Sequence, residues 1–283
     1  MRYFDLHCDT PYRCLEENLD FSSSALAVNS ECGKYFDEYI QCFAVWIADN
    51  LQNPFEKYCK TIEDFKRKLG ESKSAIKPIF TVEGGAVLEG NSDNLYILKD
   101  DGIRALTLTW NGKNQIASGV GEEGGITDFG KKTVRLMNKL NMICDLSHLN
   151  KESFYGALAE ADYPIATHSC CEEVFAHRRN LDKNQLKELF SKGGIMGLCL
   201  YPQFLGEGNV WENIYKHIFY LLDKGYEDNI AIGSDFDGAD MDKSLDSSAK
   251  IPEIHSFLEQ KGINKCIIDK IFYSNAKKFF SSV

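Results

Sequence analysis

The sequence predicts an α/β protein: a single (β/α)8 barrel of the TIM type, with residues 1–283 forming one domain. Three observations lead there. Eight short β-branched and aromatic runs alternate with longer amphipathic stretches, the rhythm of parallel strands with helices between them. No Pro/Gly/Ser-rich linker, low-complexity tract or repeated motif divides the chain. Polar residues close five of the eight runs, and a closed barrel brings five such ends to one point where an open sheet normally does not.

The strand runs come in order: YFDLH (3–7), YIQCFAVWI (39–47), AIKPIFTVE (75–83) and IRALTLTW (103–110), then MICDLSH (142–148), PIATHS (164–169), GIMGLCLY (194–201) and IAIGSDFD (230–237). Several are almost continuously apolar, as strands covered on both faces are. Helix signals lie between them. In 55–70, Tyr58, Ile62, Phe65 and Leu69 recur every three or four residues, and Gly70 offers a stop. In 127–140, Val134, Met137 and Leu140 repeat the pattern, with Thr127 and Asp128 as candidate N-caps. Segments 209–225 and 263–280 have the same amphipathic character. Residues 18–36 and 238–250 lack periodicity and read as loops.

Composition narrows the partners. Hydrophobic residues at 43% and charged residues at 26% are ordinary for a globular chain. With 32 basic against 42 acidic residues the net charge is −10, which argues against nucleic acid or an anionic membrane surface as partner. No run reaches the ~18 apolar residues that cross a bilayer. The opening MRYFDLHCDTPYRC lacks an apolar run and a basic n-region, so a cytoplasmic location without a secretory signal is expected. The ten cysteines are scattered, with none in a Cys-x-x-Cys pair, and several sit in apolar runs, as Cys42, Cys144 and Cys199 do. They are expected to be buried thiols that pack as small hydrophobes.

The run ends carry the chemistry. Strand one ends in His7-Cys8-Asp9, strand three in Glu83-Gly84-Gly85, strand five in Asp145-Leu146-Ser147-His148, strand six in Thr167-His168 and strand eight in Asp235-Phe236-Asp237. His7 and Asp9 stand two apart, so on a strand they face one side and suit a common metal ion. His148 and His168 end successive strands and suit a second ion, and the two oxygens of Glu83 suit a bridge. Imidazole with carboxylate and no thiolate favours zinc, with manganese or iron as alternatives. Asp145 and Ser147 are expected to satisfy backbone groups. Of the remaining histidines, His217 and His255 read as helix-surface residues, and His177 as a loop residue in solvent or on the backbone.

On the motifs DLHCDTP, TVEGG, GIRALTLTWN, LMNKLNMICDLSH, PIATHS, HRRN, IGSDFDG and SNAKKFF, which run in order over nearly the whole chain, the sequence resembles the renal (membrane) dipeptidase family, peptidase family M19, of the amidohydrolase superfamily. The resemblance implies the barrel, a metal-dependent amidohydrolase-type site and two Zn2+ ions per chain. His7 and Asp9 would hold one ion, His148 and His168 the other, and Glu83 would bridge them. Asp235 would take a proton from the attacking water and pass it to the leaving amine. On an ideal strand Asp237 points the same way and stays a candidate. Arg179 of HRRN would bind the free carboxylate of a dipeptide, a planar fork suited to that group. A homodimer is also implied. Tyr201, ending strand seven, is expected to line the substrate pocket on its position.

One position departs from the family. After Thr107-Leu108-Thr109, members usually carry a histidine that binds substrate and steadies the oxyanion; here Trp110 stands, followed by Asn111. Indole donates one hydrogen bond and takes up no charge near neutral pH. Either Trp110 or Asn111 takes over substrate binding, the metal polarises more, or the substrate is not a simple dipeptide. Zinc-dependent dipeptide hydrolysis is therefore expected. The alternatives are another small-amide reaction, on an N-acyl amino acid or a cyclic amide, and a metal-binding barrel without catalysis.

Overall fold

A computed structural model describes residues 1–283, and its eight parallel strands close into a barrel in sequence order. They are β1 (Arg2–Cys8), β2 (Glu38–Trp46), β3 (Lys77–Glu83), β4 (Ile103–Thr107), β5 (Ile143–Asp145), β6 (Pro164–Ser169), β7 (Ile195–Leu198) and β8 (Ile230–Ile232). The helices are α1 (Thr10–Glu16), α2 (Pro54–Ser72), α3 (Asn94–Asp100), α4 (Asp128–Lys139), α5 (Lys151–Glu160), α6 (Lys183–Ser191), α7 (Pro202–Leu205), α8 (Val210–Asp223), α9 (Ile251–Gln260), α10 (Lys265–Asp269) and α11 (Asn275–Ser281). All eight expected strands form. No helix is long and apolar enough to cross a membrane.

Several strands stop earlier than their apolar runs, because side chains take over the ladder. After Asp145, its Oδ1 accepts the Ser147 and Thr167 N–H groups, and His148 turns to a φ of 70°. After Ile232, the Ser234 N–H goes to Asp5 Oδ1 and the Asp235 N–H to the His7 carbonyl, with Asp235 and Asp237 at φ 67° and 65°. These three left-handed non-glycine residues mark the strained end of the barrel, where function tends to sit.

The seam is thin. β1 and β8 share the Asp5–Ile232 pair, extended by a bridge between Cys8 and Phe236 and by Asp9 N–H donating to the Phe236 carbonyl at 2.9 Å.

Helix boundaries follow local chemistry. Tyr58, Ile62 and Phe65 bury the inner face of α2, but Gly70 does not end it. The helix runs two residues further and stops at Lys73, in the left-handed region. A glycine in an exposed turn costs only ~1 kcal/mol, which a packed apolar face outweighs. Thr127 caps α4, its Oγ1 accepting from Gly130 N–H at 2.9 Å. The segment expected as one helix over 263–280 is instead α10, a wide π-type turn (Lys270–Ser274) and α11.

The core has two parts. A large cluster fills the space between sheet and helices, with Phe43, Tyr58, Phe65, Phe154 and Phe272 among its fully buried rings. A second cluster draws on all eight strands, from Phe4, Ile40 and Ala105 to Ile165, Ile195 and Ala231, with Ile79 packed against it. It is therefore the barrel interior. Phe279 and Phe280 of α11 pack into it from the strand starts and plug that end. Eight of the ten cysteines are buried, Cys59 and Cys266 being exposed, and all are free thiols.

Loop 18–36 is hung on one carboxylate. Asp237 accepts Ala27 N–H and Arg13 Nη1 on Oδ1, and Thr10 Oγ1 and Val28 N–H on Oδ2. Its side chain is fully buried and committed, so among the pair Asp235 and Asp237 it serves structure.

Candidate metal centre and substrate cavity

The C-terminal strand ends bring five expected ligands together. His7 Nε2 lies 3.2 Å from Asp9 Oδ2 and 3.5 Å from Glu83 Oε2. The other Glu83 oxygen, Oε1, lies 2.6 Å from His148 Nε2 and 3.6 Å from His168 Nε2. One carboxylate thus faces two donor groups with different oxygens. Asp235 Oδ1 stands 3.8 Å from His7 Nε2. In each of three sets (His7, Asp9, Glu83; Glu83, His148, His168; His7, His168, Asp235) the ligand atoms lie within 4.8 Å of one another.

These donors fit a cation. His148 Nδ1 donates to Asn111 Oδ1 at 3.0 Å. Thr167 Oγ1 donates to Asp145 Oδ2 at 2.6 Å and so receives His168 Nδ1–H at 2.9 Å. Both rings are thereby fixed with bare Nε2 lone pairs, which face each other at 2.7 Å. Two opposed lone pairs repel unless a proton or a metal ion lies between them. Asp9 Oδ1 is buried without a partner. Outer hydrogen bonds that hold imidazoles by Nδ1 are the usual support of a metal site.

Electrostatics give the same picture. Burial works against a charged His7, yet the Asp9 and Glu83 carboxylates hold its pKa well above the ordinary value. Burial raises Glu83, but His148 and His7 outweigh it and hold it well below the ordinary range. Burial, with Glu83 and Asp235 nearby, pushes Asp9 up to about 7. Asp235 is raised to about 6, first by burial and then by Glu83. Burial followed by Arg179 lowers His148 to about 4, and burial followed by His7 and His148 lowers His168 well below its usual value. The donors share too few protons to satisfy all of them, as groups that suit a common cation do.

Close backbone approach is built in. Gly84, at φ 112°, lets β3 turn away after Glu83: a Cβ there would meet the Ile47 carbonyl O at 2.1 Å. At Gly238 a Cβ would meet Asp9 Oδ2 at 2.0 Å, so any side chain there would displace the Asp9 carboxylate.

A cavity of about 960 Å³ opens above the cluster. All four remaining expected residues line it: Arg179, Trp110, Asn111 and Tyr201. Arg179 is buried; its Nη2 donates to the His168 carbonyl at 3.3 Å, its Nε has no partner, and its guanidinium lies 5.3 Å from the Phe204 ring centre. Burial lowers its pKa from the ordinary arginine value. Asn111 reaches both the cavity and His148. Trp110 stands edge-to-face with Trp46 at 5.1 Å, and Trp46 likewise with Tyr12 at 5.0 Å.

As expected, Asp145 satisfies its surroundings: Ser147 and Thr167 N–H on Oδ1, Thr107 and Thr167 hydroxyls on Oδ2. Ser147 Oγ accepts the His168 N–H at 3.2 Å. His177 makes a backbone contact, accepting the Arg179 N–H on Nδ1, and also lines the cavity. Two expectations fail. His217 is fully buried, accepting Cys171 N–H on Nδ1 and donating to the Leu205 carbonyl from Nε2. His255 is buried too, 3.3 Å from Asp269 and edge-on to Phe272.

Sequence reasoning missed Asp49, Tyr12 and Trp46. Asp49 Oδ1 accepts from Trp110 N–H and Asn114 Nδ2, and its Oδ2 from Gly112 N–H, which clamps the loop carrying Trp110 and Asn111. The signal was present: Asp49 follows strand two as the ligands follow theirs.

A closed parallel barrel with histidine and carboxylate donors converging at its strand ends defines the class of amidohydrolase-type metallohydrolases. The model of the membrane dipeptidase family, peptidase family M19, matches residues 1–283, and the chain belongs to that family. It is 30% identical over 209 residues to an uncharacterised dipeptidase of Schizosaccharomyces pombe, an alignment that covers 70% of this chain and 51% of the yeast protein. The chain therefore spans about half the length of that relative. Two solved structures share the fold. A dipeptidase described as an M19 metallopeptidase superposes with a TM-score of 0.90 at 21% identity, covering 99% of this chain and 98% of that one. A metallopeptidase from Rhodobacter sphaeroides, bound to a phosphinate mimic of the dipeptide L-Ala-D-Ala, superposes with a TM-score of 0.88 at 20% identity, covering 99% of both.

Proposed function

We propose that this chain is a zinc-dependent dipeptidase whose free-carboxylate anchor is Arg179. The observation that carries the reading is a buried guanidinium, without a carboxylate partner of its own, in the cavity that Asp9, Glu83 and His148 of the donor cluster also line. A buried charge left unpaired is costly, and a substrate carboxylate would complete it. The mimic of L-Ala-D-Ala in the Rhodobacter structure supports the same substrate class.

His7, Asp9 and Glu83 would hold one zinc ion, and Glu83, His148 and His168 a second. When bound, the pair would acidify the attacking water and polarise the scissile carbonyl. Asp235 takes the proton released as the water oxygen bonds to the carbonyl carbon, then delivers it to the nitrogen as the C–N bond breaks. Its left-handed backbone aims the carboxylate across the cluster toward His7. Arg179 fixes the substrate's terminal carboxylate, Asn111 and Trp110 flank the bound peptide from the β4 side, and Tyr201 does so from the β7 side. The thiol-rich core supports a cytoplasmic location. Family kinship supports a homodimer, which sedimentation would test.

The decisive assay offers L,L and L,D dipeptides to zinc-loaded and chelated protein. Chelator-sensitive cleavage, abolished in Asp235→Asn with zinc still bound, supports the reading. Full activity of zinc-bound Asp235→Asn removes the proton shuttle. Trp110, where the family usually has histidine, favours one second reading, hydrolysis of another small amide. Turnover of N-acyl amino acids or cyclic amides without dipeptide cleavage would establish it.

A further inference from the structure

We infer that Tyr12, Trp46 and Trp110 form an aromatic subsite that selects dipeptides with a large aromatic or apolar side chain on the N-terminal residue. The inference rests on the dipeptidase reading and deepens it. The three rings are half-buried, line the cavity and stand in an edge-to-face row with Trp46 in the middle. Edge-to-face geometry is how aromatic groups attract one another, so the row can take a further ring.

Position assigns the row to one side of the scissile bond. Trp46 pairs with Glu83 across β2 and β3, level with the carboxylate that faces both donor groups. Tyr12 follows Asp9 on α1, and Trp110 follows β4. Arg179 stands after β6, four strands from β2 in the closed order and so across the barrel. A dipeptide with its carboxylate on Arg179 and its amide over the donors must extend its first residue toward β1, β2 and β4, where the rings are. On the Arg179 side, Phe204 packs under the guanidinium, against His177 at 4.8 Å and Tyr201 at 4.9 Å.

Asp49 makes the row rigid. Its carboxylate, between β2 and α2, accepts the Trp110 and Gly112 N–H groups and fixes the backbone that carries the indole. A subsite held in place pays little ordering entropy on binding.

The test compares kcat/KM for Phe-Ala, Ala-Ala and Ala-Phe on zinc-loaded protein. The wild type should prefer Phe-Ala over Ala-Ala by about tenfold or more, the discrimination an apolar subsite commonly achieves. Trp46→Leu and Trp110→Leu should each cut that ratio about fivefold and leave the Ala-Phe to Ala-Ala ratio within about twofold. Trp110 lies on a loop outside the sheet, so its variant covers the case in which Trp46→Leu does not fold; bound zinc and circular dichroism verify both. Dipeptide cleavage without a Phe-Ala preference, or an unchanged preference in folded variants, overturns the subsite and leaves the dipeptidase standing. No dipeptide cleavage at all overturns both.

Discussion

At the scale of single residues, the molecule spends its polar groups on three distinct tasks. Arg179 keeps a buried guanidinium without a carboxylate partner, which costs stability; in the function proposed above that charge is completed by the substrate. Arg179→Met should therefore melt no lower than the parent, while kcat/KM on dipeptides falls about 10²-fold, the loss expected when an ionic anchor disappears. A parallel fall in melting temperature would make Arg179 a structural residue. Asn111 holds a ring: its Oδ1 fixes the His148 tautomer. Asn111→Ala should weaken the proposed zinc binding about 10–100-fold, read by competition with a coloured chelator. Unchanged affinity would remove that role. Asp145 binds four donors from three strand ends. Asp145→Ala should destabilise the fold by about 3 kcal/mol in urea unfolding, because two N–H and two O–H groups lose their acceptor.

At the scale of elements, α8 shows what periodicity conveys and what it leaves open. Its inner face reads Ile214, His217, Ile218, Leu221 at spacings of three and four, and all four are buried. His217 falls in that stripe yet was expected at the helix surface, because its polar partners, Cys171 from the loop after β6 and Leu205 from α7, come from elsewhere in the chain. Both ring nitrogens are used by the neutral form, and Nδ1 faces an N–H donor, so a second proton has no place. Burial accordingly lowers His217 to about 4. The unfolded chain takes the proton first. Stability supplied by neutral His217 is thus intact above about pH 6.5 and is lost as pH falls toward 4, on the order of 3 kcal/mol in all. His217→Gln should flatten that part of the stability–pH curve in denaturant titrations; an identical slope would assign the loss elsewhere. The strand ends teach a related lesson. β5 and β8 end before the runs 142–148 and 230–237 do, because Asp145 and Asp5 side chains replace the ladder there.

At the scale of the whole molecule, the closed barrel and the gathering of His7, Asp9, Glu83, His148 and His168 were legible because strand rhythm and strand-end chemistry agree. What stayed hidden depends on distances across the barrel: Asp49 bonded to the loop after β4, Asp237 turned to loop 18–36, and the row from Tyr12 to Trp110. With Asp235, the donor cluster also ties the ends of β1, β3, β5, β6 and β8 into one electrostatic unit. If the proposed zinc ions occupy it, chelation should lower the melting temperature by about 5–10 °C at micromolar protein, since each ion at 100 times its Kd adds about 2.7 kcal/mol. A melting curve indifferent to chelator would show that the ends are held without metal.

The thin seam has a consequence for synthesis on the ribosome. His7 and Asp9 leave the exit tunnel before the other donors, yet the backbone that pins them comes from Asp235 and Phe236. Strands β2 to β7 can all be made while β1 has β2 on one side and nothing on the other. The nascent chain therefore carries metal donors long before it has a metal site, and the last strand to emerge converts one into the other.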